Sequence, residues 1–357
     1  MNTRTLGRTG LEVGVIGLGT EYLVGQPGDT VVSVVHEAID QGVNYIDVLF
    51  AYAEYLDNMG AALKGKRDQV FITGHLGSAE TDGQYRRTRD VAECEDLFHD
   101  VLSRVGTDYV DVAFLQNCDE EEDYKQVMGP GGLLELARRF QREGKARFIG
   151  FSGHQPPVSL KAVRSGEIDV LMHSISIQGD ATPGRKDLFH ECAARDLGLV
   201  AMKPFAGGGL LQETGKKSVT PVQCLNYTLS QPGVCTVVPG LSNVKELRQA
   251  LAYLDASDEE KDFSSVLTEF HEVEEGTCVY CNHCLPCPVG INVGETIRAV
   301  VTAERGGLEA ARSAYAALPV KASECIECEE CVERCPFSVD IISRLHQARD
   351  VFEAMTQ

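Results

Sequence analysis

The sequence predicts a closed parallel (β/α)8 barrel over residues 1–272, followed by a small, helical, cysteine-rich domain over residues 273–357. Three observations carry this expectation. Up to about residue 255, short β-branched runs alternate with helical patterns, and the alternation repeats eight times. Eight of the 13 cysteines fall after residue 277. The first turn also lacks the glycine pattern that an open, doubly wound sheet usually carries: Gly17-Leu18-Gly19-Thr20-Glu21-Tyr22 has no third glycine.

In chain order, the strand candidates are residues 13–18, 44–48, 70–73, 110–115, 148–152, 170–173, 199–202 and 236–238. Helical patterns follow, for example over 30–41, 90–105, 133–143, 186–196 and 244–253. Eight such units over this length favour closure into a barrel. Ahead of them, residues 3–13 carry glycines at 7 and 10 and are expected to form a hairpin that plugs the barrel floor. Gly215-Lys216-Lys217-Ser218 resembles a phosphate loop only superficially, because Leu210 stands where its first glycine belongs. A charged helical stretch over 255–275 is expected to lead out of the barrel, and residues 293–303 and 308–317 read as helices of the second domain.

Composition narrows the function classes. With 33 Lys and Arg against 53 Asp and Glu, the net charge is -20, which repels nucleic-acid backbones and anionic membrane surfaces. No run is long and apolar enough to span a bilayer, and Met1-Asn2-Thr3-Arg4 does not open a secretory signal, so a cytoplasmic location is expected. Cysteines in that reducing compartment serve as ligands or as small buried residues rather than as disulfides.

Their spacing is specific. Cys278, Cys281, Cys284 and Cys287 are each separated by two residues, with Pro288 after the last. Cys325, Cys328 and Cys331 repeat that spacing, and three residues then precede Cys335-Pro336, which is the bacterial ferredoxin run. Structural zinc pairs normally lie a dozen or more residues apart, so this density points to two [4Fe-4S] clusters. By the crossover rule of two-cluster ferredoxins, Cys335 joins Cys278, Cys281 and Cys284, while Cys287 joins Cys325, Cys328 and Cys331. The shortened spacing before Cys287 leaves its side of the crossover open. The helices between the motifs make the domain similar to the helical ferredoxin type. Glu327, Glu329, Glu330 and Glu333 either solvate the second motif or dock a basic redox partner protein.

In a parallel barrel, the chemistry sits at the carboxyl ends of the strands. The polar residues there are Asp47, Tyr52, His75, Gln116, Ser152, His154 and Lys203. Gly42-Val43-Asn44-Tyr45-Ile46-Asp47-Val48 with Ala51-Tyr52 resembles the second-strand motif of the aldo-keto reductase family, as do Asp108-Tyr109-Val110-Asp111, Ile149-Gly150-Phe151-Ser152, Met202-Lys203-Pro204 and Val238-Pro239-Gly240. The resemblance runs over residues 3–255, and the tail looks like the iron-sulfur domain appended in one branch of that family. It implies a TIM-barrel fold and hydride transfer between NAD(P)H and a small carbonyl or alcohol, with a tyrosine as general acid. Tyr52 and Asp47 match two catalytic positions, whereas His75 stands where the family has lysine and Gln116 where it has histidine. His75 can relay protons near neutrality or merely fill a polar pocket.

The same resemblance implies cofactor contacts at Ser152, Lys203, Gly207, Gly208, Pro239 and Gly240. Backbone N–H groups of the run Gly207-Gly208-Gly209 can approach a pyrophosphate, or the run is a flexible turn. Met172, Gly153 and Gln249-Ala250 depart from the usual nicotinamide pocket, which keeps flavin open as the cofactor. Lys245 and Arg248 either meet a 2′-phosphate or form a solvated helix face. The leading expectation is an iron-sulfur oxidoreductase acting on a carbonyl, polyol or sugar-like compound, with electrons from NAD(P)H or an external carrier. Its rival is an electron-transfer or docking module with a catalytically degenerate barrel.

Overall fold

The computed structural model describes residues 1–180, 182–211, 219–267, 276–278, 280–304 and 306–353. The chain opens with an antiparallel hairpin of β1 (Thr3–Thr5) and β2 (Glu12–Gly14). It continues with β3 (Leu18–Gly19), β4 (Tyr45–Asp47), β5 (Phe71–Leu76), β6 (Ser78–Thr81), β7 (Gln84–Arg87), β8 (Val110–Leu115), β9 (Ala146–Gly153), β10 (Val170–Ser174), β11 (Gly198–Met202) and β12 (Val234–Val238). Strands β3, β4, β5, β8, β9, β10, β11 and β12 lie side by side in that order, every pair parallel. The two edges meet through parallel bridges, Ile16 to Val237 and Gly19 to Gly240, and this closes the barrel.

That seam accounts for the two glycines of the incomplete dinucleotide motif. A β-carbon on Gly17 would lie 2.8 Å from the Tyr45 carbonyl oxygen, and one on Gly19 would lie 2.8 Å from that of Val238. The strands approach closely because neither position has a side chain. Below the seam the hairpin plugs the barrel floor, as expected. Leu6, Leu11 and Val13 pack among Tyr45, Val112, Val170 and Val200 inside the barrel. Each such side chain contributes roughly 1.5–3 kcal/mol on full burial. Residue 13 therefore belongs to the floor and not to the first barrel strand.

The helices outside follow their sequence signals. Val91–Val105 starts where the Asp90 carboxylate accepts the Glu93 N–H at 2.8 Å, and it stops at Gly106 in the left-handed region at φ 73°. Its buried face is Cys94, Phe98, Val101, Leu102 and Val105. Over its described part, the charged helical stretch expected from 255 to 275 consists of two short helices, Asp258–Lys261 and Ser264–Leu267. The break has a cause: Asn226 Nδ2 donates to the Lys261 carbonyl at 2.9 Å and Gln223 Nε2 to the Asp262 carbonyl at 2.8 Å. Phe263 then packs edge-on against Tyr227, pulling the chain back onto the barrel. The domain boundary expected between 272 and 273, and the Gly215–Ser218 segment, lie outside the described residues.

The tail builds its own core. Val293–Glu304, Leu308–Ala317 and Ile341–Phe352 bury Val293, Ile297, Val300, Tyr315, Ile341 and Leu345 against one another, separately from the barrel core.

Candidate active site at the barrel mouth

Asp47 ends β4, His75 lies in β5, Gln116 follows β8, and Ser152 lies in β9, so four neighbouring strands bring four polar side chains to one place. They form one hydrogen-bonded chain. Thr73 Oγ1 donates to Asp47 Oδ1 at 2.7 Å, and His75 Nε2 lies 2.8 Å from the same oxygen. The other imidazole nitrogen, Nδ1, meets Gln116 Oε1, which also accepts from Ser152 Oγ at 3.1 Å. Ser152 Oγ in turn accepts the Asn117 N–H at 3.0 Å. Both nitrogens of His75 thus face oxygens, Asp47 Oδ1 on one side and Gln116 Oε1 on the other. His75 sits inside this network, and its side chain is wholly buried.

Tyr52 stands immediately before the helix Ala53–Leu63, half-buried, with its ring edge-on to Phe50 at 5.4 Å. Burial, and then the negative charge of Glu80 with Tyr85 and Glu21, push its phenol above the ordinary value. Like any phenol it is protonated near neutrality, and the upward shift makes it a weaker acid. Tyr85 approaches from β7 and packs edge-on against Phe50 at 5.4 Å. Its hairpin, β6 with β7, was absent from the sequence expectations. The signal was there, because Asp82 and Gly83 take φ 51° and 76°, the left-handed pair that an Asp-Gly turn favours.

Asp47, Tyr52, His75, Gln116 and Ser152 line a cavity of about 720 Å³, a size ordinary for small-molecule sites. The rest of its wall combines Lys203, Gly207, Gly208 and Gly240 from the barrel with Cys281, Asn282, Asn292 and Arg298 from the tail. The tail is therefore part of the pocket. Arg298 Nη1 donates to the Gly207 carbonyl and to Tyr22 Oη, the latter at 3.0 Å, and its guanidinium lies 4.6 Å from the Tyr280 ring centroid. Lys203, at φ 56°, donates to the Tyr280 carbonyl at 3.0 Å and pairs with Glu21. Burial works against its charge, yet Glu21 and Tyr22 hold the ammonium above its ordinary pKa.

The expected cofactor residues divide. Ser152, Lys203, Gly207, Gly208 and Gly240 all reach the cavity. Pro239 instead belongs to the seam, where its carbonyl accepts the Gly19 N–H at 2.9 Å. In the glycine run, Gly208 N–H bonds the Phe205 carbonyl at 2.9 Å and Gly209 N–H that of Ala206 at 3.3 Å, so both donate within their own turn. A β-carbon at Gly207 would strike the Tyr280 ring, so glycine is needed there for the tail to dock. Met172 is buried in the barrel interior, and Arg248 pairs with Glu37 at 2.9 Å.

The eight tail cysteines fall into two sets. Cys278, Cys281, Cys284 and Cys335 line one small cavity, and Cys287, Cys325, Cys328 and Cys331 line another. None of these cysteines is in a disulfide. Tyr280, Asn282, Glu327 and Glu329, between the cysteines, all take positive φ, which curls each loop around its cavity. Burial pushes the Cys278 and Cys331 thiols up to about 11, and neighbouring thiols add to this, so closely gathered sulfurs resist ionising on their own. A cation or cluster that takes thiolates fits each set. The barrel grips this region: Gln84 in β7 accepts the Cys287 N–H at 3.1 Å and donates to the Cys287 carbonyl at 3.2 Å. Of the interleaved acids, Glu327 pairs with His346 and Glu330 with Arg334. Cys281 and Asn282 line both the barrel pocket and the first cysteine cavity. No helix among the described residues is long and apolar enough to cross a membrane.

Comparison with known proteins agrees with this geometry. Residues 12–223 match the model of the Aldo/keto reductase family. The chain is 23% identical over 291 residues to the uncharacterized oxidoreductase YqkF of Bacillus subtilis, covering 72% of this chain and 92% of that one. It is 25% identical over 284 residues to L-galactose dehydrogenase of Arabidopsis thaliana (70% and 86% covered) and 26% over 276 residues to pyridoxine 4-dehydrogenase of Escherichia coli (70% and 92% covered). Among solved structures, the holo form of aldo-keto reductase AKR11C1 from Bacillus halodurans superposes with a TM-score of 0.63 at 22% identity, covering 77% of this chain and 98% of its own. The chain is therefore an oxidoreductase that belongs to the aldo/keto reductase family.

Proposed function

We propose that this chain is an iron-sulfur oxidoreductase that interconverts a small carbonyl compound and its alcohol in the barrel pocket, with reducing equivalents from NAD(P)H or an external electron carrier. The observation that carries the reading is the shared wall: Cys281 and Asn282 face both the pocket of Tyr52 and His75 and the first cysteine cavity. The two cysteine sets are those the ferredoxin crossover requires, which supports two [4Fe-4S] clusters as residents. When bound, such clusters supply one-electron carriers between the pocket and the surface around exposed Cys328.

The protein's own residues act on the substrate. In the reducing direction, carbon gains a hydride equivalent, the carbonyl oxygen gains a proton, and an alcohol results. Tyr52, protonated near neutrality as a phenol is, donates that proton from its phenol oxygen. The His75 and Gln116 network, anchored by Asp47 and Thr73, orients the polar end of the substrate. The tail contributes Asn282, Asn292 and Arg298 to the wall of the pocket. The relatives named as sugar and pyridoxine dehydrogenases make hydroxylated compounds the first substrates to try.

The test uses anaerobically purified full-length protein, with a panel of sugars, polyols and aldehydes assayed against NADPH, NADH and reduced ferredoxin. Turnover that falls about 10²–10⁴-fold in Tyr52→Phe, with cluster absorbance retained, agrees with the reading. A second reading, an electron-transfer or docking module, is favoured by the Arg298 and Tyr280 contacts that cover Gly207. No turnover with any donor, together with stable capture of a partner oxidoreductase by the Tyr52→Phe protein, selects it.

A further inference from the structure

Asp119 follows β8 and His154 follows β9, which places both at carboxyl ends of neighbouring strands. His283 comes from the tail, between Cys281 and Cys284. The three side chains meet where tail and barrel touch, and all are screened from solvent, with side-chain exposures of 0%, 1% and 0% for Asp119, His154 and His283. Asp119 is fixed before either imidazole reaches it. Its Oδ1 accepts the backbone N–H of His154 and, at 2.9 Å, that of Gln155, just ahead of helix Pro156–Ser165. Oδ2 is left facing His154 Nδ1 at 2.8 Å and His283 Nε2 at 3.2 Å.

Hydrogen bonding explains only one of those two contacts. His154 Nδ1 is aligned with the carboxylate, whereas His283 Nε2 lies within reach without forming a hydrogen bond. His154 Nε2 and both nitrogens of His283 are buried without a partner. Each unpaired buried polar group costs about 1–3 kcal/mol, and an ion beside Asp119 Oδ2 would satisfy one of the three, His283 Nε2. Among the described residues, the only basic side chains with a nitrogen within 4.0 Å of the Asp119 carboxylate are these two histidines, so no arginine or lysine offsets it.

Two imidazole nitrogens and one carboxylate oxygen suit a borderline divalent ion. The three candidate ligand atoms lie within 4.8 Å of one another. With metal–ligand bonds of about 2.0–2.1 Å, separations of 2.8 and 3.2 Å correspond to ligand–metal–ligand angles of roughly 85–105°, the range between octahedral and tetrahedral. The carboxylate already has the supporting hydrogen bonds that orient a metal ligand.

We propose that Asp119, His154 and His283 form a mononuclear site for Zn²⁺ or Fe²⁺, distinct from the eight cysteines and shared between barrel and tail. Bound there, the ion neutralises the buried carboxylate and ties the first cysteine loop to the barrel. It also fixes His154, which lines the substrate pocket.

The experiment compares the metal content of the full-length protein with that of Asp119→Asn and His154→Gln, both barrel substitutions that leave every cysteine in place. Each protein is purified anaerobically, equilibrated with Zn²⁺ or Fe²⁺ at low micromolar concentration, desalted and analysed by mass spectrometry of the metals. The expected result is a stoichiometric divalent ion in the wild type, above whatever the cysteine sets hold, and its loss from both variants with thiolate-to-metal absorbance unchanged. His154→Gln keeps the question open to a decision if Asp119→Asn fails to fold. Equal metal content in the wild type and in a folded variant overturns the proposal and leaves the cluster as a hydrogen-bonded staple.

Discussion

The buried pair at the centre of the pocket offers a thermodynamic test of whether the site is one network. His75 Nε2 and Asp47 Oδ1 are 2.8 Å apart, with side chains 0% and 8% exposed. Removing one partner of such a pair strands the other and costs about 3–5 kcal/mol. In His75→Leu, Asp47 keeps the Thr73 hydroxyl at 2.7 Å, and the new apolar side chain regains about 1–2 kcal/mol of burial. A net loss of about 2–3 kcal/mol is expected. Asp47→Asn removes the charge and should cost a similar amount. The double variant has no charge left to strand, so it should cost little more than either single change, giving a coupling of about 1.5–3 kcal/mol. The chain has no tryptophan, so urea unfolding is followed by far-UV circular dichroism, with the barrel transition resolved from that of the tail. Additivity within about 0.5 kcal/mol would show that the two residues act independently and would refute the network.

Other consequences follow from named contacts. Cys335→Ser should empty the set shared with Cys278, Cys281 and Cys284, and Cys287→Ser the set shared with Cys325, Cys328 and Cys331; in each, iron should fall by about half, read by metal analysis and electron paramagnetic resonance. His173 is lowered to about 3 by burial, with Arg185 and His154 adding to the shift. A histidine whose folded pKa lies below its unfolded value near 6.5 gives stability that is complete above 6.5 and lost as pH falls toward 3, at about 1.4 kcal/mol per pH unit. Between pH 7 and 5, the wild type should therefore lose about 2 kcal/mol more than His173→Gln in denaturant titrations, and parallel curves would contradict this. Gln84→Ala removes both bonds to the Cys287 backbone, about 1–3 kcal/mol of docking, so amide exchange around residue 287 should quicken about tenfold or more while barrel exchange stays unchanged.

The barrel was legible because its strands are continuous β-branched runs buried on both faces, a pattern that survives without knowing the neighbours. Asp47, His75, Gln116 and Ser152 were legible for a related reason: the carboxyl end of a barrel strand is a fixed address for chemistry. The cysteines were legible through spacing alone. What escaped was everything that depends on two distant segments meeting. Nothing in residues 205–209 tells that Tyr280 and Arg298 will cover Gly207, and nothing near His283 tells that it will face Asp119 and His154. The hairpin carrying Tyr85 and Gln84 is a different case, because its Asp82-Gly83 turn was readable and the flanking strands are only four residues each. Over its described part, the helical stretch expected from 255 to 275 is broken into two short helices because long-range anchors from Gln223 and Asn226 override local propensity.

The account rests on what the eight cysteines hold. The most direct measurement is iron and acid-labile sulfide per chain in anaerobically purified protein. Two [4Fe-4S] clusters predict about eight of each, with broad absorption that bleaches on reduction. Zinc without sulfide, and no reducible chromophore, would contradict the account.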